Sequence, residues 1–176
     1  MSRLPRLVAL PLVALLALSA CDSSDSASFN INDYTGTYRG TATLTLRTGT
    51  TTTSTAPVTV TVTKSGTNVV TATVDPGVGS AGGDDPAPIV FPGTYSSTGA
   101  LFAAAAPGSS VAITVDEDGD IGGSGNLDLF GVGVALSPSG RITRSRVSLD
   151  LGLTVTNGNA DVPTGSTGTA SIVATR

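Results

Sequence analysis

Cys21 is the only cysteine of this 176-residue chain, and it follows directly on Leu18-Ser19-Ala20. A thiolate can attack a substrate, ligate a metal, exchange disulfides or accept a covalent group. Most of these uses fail at once. There is no second cysteine for an internal disulfide, and no histidine to serve as general base or imidazole ligand. A Ser-His-Asp site, a Cys-His site and a thiolate zinc site are thereby excluded. Modification of the sulfur remains.

The other groups able to do chemistry are carboxylates and aromatics. Asp116-Glu117-Asp118-Gly119-Asp120 echoes the start of a calcium loop, which needs glycine at its sixth position and glutamate at its twelfth. Ile121 stands sixth and Leu127 twelfth, so the run is expected to be an acidic β-turn that holds no metal. Asp84-Asp85 falls in a Pro- and Gly-rich stretch and is expected to be solvated. The acids cluster in expected turns instead of facing one another across strands, which argues against a paired-carboxylate hydrolase. No enzymatic activity and no cofactor is expected. Tyr34, Tyr38, Phe91, Tyr95, Phe102 and Phe130 are either core residues or the lining of a ligand cavity. Tyr38, Phe91, Tyr95, Phe102 and Phe130 are the candidates for ligand contact.

The residues before Cys21 give its context. Arg3 and Arg6 form a basic start, and Leu7 to Leu18 form an apolar run. This is a secretory signal pattern, and the apolar stretch falls short of the roughly 20 residues of a spanning helix. Leu18-Ser19-Ala20-Cys21 resembles the lipobox of bacterial lipoproteins. The resemblance implies removal of residues 1–20 by cleavage between Ala20 and Cys21. It also implies a thioether-linked diacylglycerol on the Cys21 sulfur and an acyl chain, such as palmitate, on the new amino group. Each buried methylene contributes about 0.8 kcal/mol, so several chains on one residue anchor a domain without a transmembrane helix. The alternative is an ordinary signal peptide cleaved elsewhere, with Cys21 a free thiol. Asp22 resembles an inner-membrane retention signal, while Asp22 with Asp25 resembles a surface-export signal. The expected location is the bacterial cell envelope, with the outer membrane or cell surface placed ahead of the inner membrane.

Nine basic and thirteen acidic residues give the whole chain a charge of −4. Without Arg3 and Arg6 the balance is seven against thirteen, or −6. That excess of acid opposes binding to nucleic acid, which rests on neutralising phosphates. About 156 residues after the cleavage point make one domain. Lys, Glu, Gln and Met, the strong helix formers, are nearly missing. Thr and Val dominate, and their β-branched side chains suit a pleated surface.

Residues 21–32 are expected to form a lipidated cysteine and a flexible polar tether, and residues 33–176 the folded domain. Tyr34-Thr35-Gly36-Thr37-Tyr38-Arg39-Gly40-Thr41-Ala42-Thr43-Leu44-Thr45-Leu46 alternates with a period of two, as a half-buried strand does. Gly36 and Gly40 share the inner parity, where glycine permits sharp coiling. A Thr-rich loop is expected from Thr48 to Ala56. Val58 to Thr63 alternates again, Lys64 to Asn68 reads as a hairpin turn, and Val70, Ala72 and Val74 return on one face. Residues 75–88 read as the longest loop.

Short strands are expected at Ile89-Val90-Phe91 and from Thr98 to Ala106, around a Pro92-Gly93 turn. Val111, Ile113 and Val115 alternate before the acidic turn. Leu127 and Leu129 run on towards Val132, Val134 and Leu136, with a parity break near Gly131 that reads as a bulge. Ser137-Pro138-Ser139-Gly140 reads as a turn. Val147 to Val155 is the longest apolar alternation, Asn157-Gly158 turns, and Ala170, Ile172 and Ala174 close the chain.

About eight to ten strands with short connections predict an all-β domain, a small antiparallel up-and-down barrel. The alternative is an immunoglobulin-like sandwich. A membrane-spanning barrel is disfavoured by the scarcity of aromatics. The segment from Tyr34 to Leu46, with Val58 to Lys64, the Ser65-Gly66 turn and Val69 to Val74, resembles the opening of calycin-like, or lipocalin-like, bacterial lipoproteins. Tyr38 stands where many lipocalins carry tryptophan. The resemblance implies a barrel with one open end. Two functions follow as expectations: a binding module for a small apolar or amphipathic ligand, or a structural or interaction module that meets a protein partner in the envelope.

Overall fold

The computed structural model describes residues 28–77, 87–104, 110–129, 131–160 and 162–176. The signal segment, the Ala20–Cys21 cleavage point, the tether up to residue 27, Asp84-Asp85 and Phe130 lie outside the described residues. A four-residue helix, α1 (Ile31–Tyr34), precedes ten strands. They are β1 (Gly36–Arg47), β2 (Thr51–Lys64), β3 (Val69–Pro76), β4 (Ile89–Ser96), β5 (Gly99–Ala104), β6 (Ser110–Asp116), β7 (Asp120–Leu129), β8 (Val132–Ile142), β9 (Arg146–Asn157) and β10 (Thr167–Thr175).

Each strand pairs antiparallel with the next, and β1 pairs with β10, from Arg39↔Thr175 to Arg47↔Thr167. The result is a closed up-and-down barrel, not a sandwich. Closure pairs the first strand with the last, so neither is left as an edge of an open sheet.

Register and alternation decide the two faces. Directly paired residues share a face, so Gly40, Val58 and Ala174 point inward together, as do Ala72 with Phe91, and Phe102 with Ile113. Even positions of β1 to β3 carry the core: Tyr38, Val58, Val60, Val62 and Val70 are all buried. The outward positions are mostly threonines. Hydroxyls meet across β1 and β2 at Thr37/Thr61, Thr43/Thr55 and Thr45/Thr53, 3.5, 3.3 and 3.2 Å apart. Apolar inside and polar outside is the reverse of a membrane-spanning barrel. Burying each Val, Ile, Leu or Phe contributes about 1.5–3 kcal/mol, and the buried core is built mostly from such residues.

Several boundaries differ from the sequence reading. Thr51 to Ala56 is not loop but the first half of β2, paired with Ala42 to Arg47. Pro92-Gly93 lies within β4, and the chain reverses instead at Ser97-Thr98. Ser137 to Gly140 lies within β8, and the reversal comes at Thr143 to Ser145, where Thr143 Oγ1 accepts from the Arg146 N–H at 3.1 Å. The parity break near Gly131 marks the reversal from β7 to β8, while the bulge sits at Gly133/Val134 against β9. The tether also ends sooner than expected. Phe29 and Ile31 are buried in the core, because α1 lies across one end of the barrel.

Candidate functional site

The barrel encloses an apolar cavity of about 220 Å3. Its wall runs from Val60 and Val62 on β2 through Phe91 on β4, Phe102 on β5 and Ile113 on β6 to Leu136 on β8 and Leu149 on β9. Strand parity puts these side chains there, since every second residue of each strand faces inward. Among the described residues Tyr38 is the one buried side chain with a polar group, none with a charge is buried, and no buried side-chain polar atom lacks a partner. The interior offers contact and exclusion of water, without directed hydrogen bonds. It would favour an apolar body and reject a charge.

One end of the cavity is stopped by the segment before β1. Phe29, Ile31 and Tyr34 all line the cavity, and the Phe29 and Tyr34 rings stack with centroids 5.0 Å apart. Asn30 caps α1 by accepting from the Asn32 N–H at 3.1 Å. The Phe29 N–H donates to the Ser97 carbonyl at 2.9 Å, and Arg144 Nη2 meets Asp33 Oδ2 at 2.8 Å, tying the stopper to the β4–β5 and β8–β9 turns. Burial pushes the Tyr34 phenol above its ordinary value, and the Asp33 carboxylate adds to the shift. Toward the other end, Leu44 and Ile89 have inward parity but are 38% and 43% exposed.

The five aromatic candidates separate. Phe91 and Phe102 line the cavity. Tyr38 is fully buried but does not line it; its hydroxyl lies 2.9 Å from the Tyr34 carbonyl and 3.2 Å from that of Thr143. It is a structural tie below the stopper. Tyr95 reaches the β2–β3 turn, where its hydroxyl donates to the Gly66 carbonyl at 3.3 Å and Lys64 Nζ stands 5.5 Å from its ring centre. Phe130 lies outside the described residues. Sequence reasoning missed Phe29 and Ile31, although two large apolar residues spaced two apart in a polar segment, Phe29-Asn30-Ile31, were the available signal.

The acidic run forms the β6–β7 turn. Asp116 Oδ1 accepts from the Asp118 and Asp120 N–H groups at 3.0 and 2.9 Å, and Gly119 takes φ +83°. That carboxylate oxygen serves the backbone of the turn. Asp120 also meets Arg141 at 3.2 Å in an exposed ion pair.

The chain matches no family model and no curated protein. Its barrel is similar to the solved structure of a protein with unknown function from the DUF3598 family, from Nostoc punctiforme PCC 73102. The likeness has a TM-score of 0.54 at 16% identity and covers 85% of this chain and 50% of that one. This chain therefore spans half the length of that protein, and what the two share is the fold.

Proposed function

We propose that this chain is a lipid-anchored protein of the bacterial cell envelope whose barrel holds a small apolar or amphipathic ligand without converting it. The observation that carries the binding reading is the cavity: about 220 Å3, walled by aliphatic and aromatic side chains. An apolar cavity of about 150 Å3 can hold benzene, so by proportion this one would hold roughly nine non-hydrogen atoms. The anchor rests on the sequence around Cys21. A non-catalytic role is supported by the position of the acids: the Asp116 to Asp120 run sits in a surface turn away from the cavity wall.

Native mass spectrometry of residues 22–176, after exposure to an extract of the producing cell's envelope, tests the binding reading. A reproducible added mass is expected. A bare mass from every extract would overturn it. Typical ligand sites measure about 300–1,000 Å3, and the smaller volume here favours, as second reading, a nearly filled barrel acting as an interaction module. Membrane fractionation of Cys21→Ala tests the anchor: association is expected to be lost, and unchanged association removes the lipoprotein reading.

A further inference from the structure

The barrel wall has a seam over the cavity. The β7–β8 ladder runs through Asp120↔Arg141 and Ile121↔Gly140, then skips to Gly125↔Leu136. Gly122 to Ser124 and Ser137 to Ser139 face one another across that break, and each stays paired on its other side, to β6 and β9.

The cause is Pro138. In an antiparallel ladder, successive residues direct their N–H and C=O to opposite neighbours. The Ile142 N–H donates to the Gly119 carbonyl at 2.8 Å, and the Thr143 N–H donates to the Arg146 carbonyl at 2.7 Å. Even residues of β8 therefore address β7 and odd ones address β9. Pro138 is even, so its missing N–H is the one β7 would have received, at Gly123. Gly123 takes φ +144° and is exposed, although it shares the inward parity of Ile113. Ser124, Ser137 and Ser139 are exposed as well. Ile121, Leu136 and Pro138, which flank the break, all line the cavity.

We propose that ligand reaches the cavity through the side of the barrel, by parting of β7 and β8 at Gly122–Ser124 and Ser137–Ser139. This rests on the binding reading above. Three consecutive positions there lack ladder pairing between two paired stretches, and the Gly-Gly-Ser-Gly sequence of β7 leaves no large side chain to cover them. The end covered by α1 does not compete as a path, because Phe29, Ile31 and Tyr34 stop it.

The test uses toluene as probe on the full chain carrying Cys21→Ala, with exchange read from the methyl NMR signals of Ile121 and Leu136. Pro138→Val restores the missing donor. Both association and dissociation are expected to slow at least about tenfold, because a blocked path slows entry and exit alike. A second variant, Ser124→Cys with Ser137→Cys, bridges facing positions across the seam. Oxidised, it is expected to slow exchange in the same way, and dithiothreitol is expected to restore it. Unchanged exchange in either correctly folded variant overturns the side path and moves access to the exposed end near Leu44 and Ile89. Failure of toluene to bind the unaltered barrel is a different result: it removes the cavity-binding reading, and the side path with it.

Discussion

The hydroxyl of Tyr38 on β1 lies 3.2 Å from the carbonyl oxygen of Thr143, 105 residues further along the chain. The same hydroxyl is 2.9 Å from the Tyr34 carbonyl. One fully buried phenol thus ties the first strand, the end of α1 and the β8–β9 turn together at the stopped end of the barrel.

Tyr38→Phe keeps the ring and removes this tie, and it is expected to cost about 1 kcal/mol in chemical denaturation. Its pH signature separates it from a packing defect. Burial raises the Tyr38 phenol above its ordinary value of 10.0, partly opposed by Arg176. Below that pH the phenol is neutral in both folded and unfolded chains, and its contribution is complete. Above it the unfolded chain loses the proton first, so stability falls as pH rises toward the folded value. Melting curves from pH 8 to 11 are expected to show this decline in the native chain and a shallower one in Tyr38→Phe. Tyr34, also raised by burial, keeps part of the slope in the variant. An identical slope in both proteins would remove Tyr38 as its source.

The stopper is expected to belong to the folding unit. Ile31 is 3% exposed and packed with Phe29 against the core, so Ile31→Ala is expected to cost about 2–5 kcal/mol. Arg144→Ala, at the exposed end of the pair with Asp33, is expected to leave the melting temperature nearly unchanged. A chain beginning at Thr35 is expected to melt earlier than one beginning at Ser28 and to bind an apolar dye at the unstopped end. Equal melting temperatures for the two truncations would show that the segment is only a tether.

Most of the barrel was legible because its strands carry a strict period of two. The inward positions of β2, β3, β6 and β9 were readable from Val, Ala, Ile and Leu on one parity, and the hairpins at Ser65 to Asn68 and Glu117 to Gly119 from their glycines. What was not legible has a common physical source. Thr51 to Ala56 carries no apolar alternation because this half of β2 is largely exposed and leaves little to bury. Pro92 and Pro138 read as turns because proline normally breaks a ladder.

Both prolines instead sit in strands at positions where only one neighbour loses a donor. Tyr95 donates to Asn68 on the β3 side, so the even residues of β4 address β5, and Pro92 is even. The β4–β5 ladder accordingly stops at Gly93↔Phe102. Each proline leaves one seam in a closed wall, a consequence that depends on which way an amide faces and so on the fold. The candidate site divides similarly. Phe91 and Phe102 were readable from strand parity, whereas Tyr38 and Tyr95 were diverted by hydrogen bonds to the carbonyls of Thr143 and Gly66.

Two glycines of the wall make opposite predictions. Gly40 faces inward on β1 opposite Ala174, and a Cβ there would run into the Val173 carbonyl oxygen of β10. Both partners are backbone in a closed ladder, so neither can withdraw without breaking the β1–β10 seam. Gly40→Ala is expected to cost about 1–3 kcal/mol, the range for forcing extra volume into a packed structure. Gly152 faces outward on β9, where a Cβ would come no nearer than 3.7 Å to Ser137 Cβ. Gly152→Ala removes backbone freedom from the unfolded chain without a clash and is expected to stabilise by about 0.4–1 kcal/mol. Urea denaturation of both variants checks the pair. If both lose stability equally, the loss comes from something other than close approach of β10 to Gly40, and the tight β1–β10 closure is not what selects glycine there.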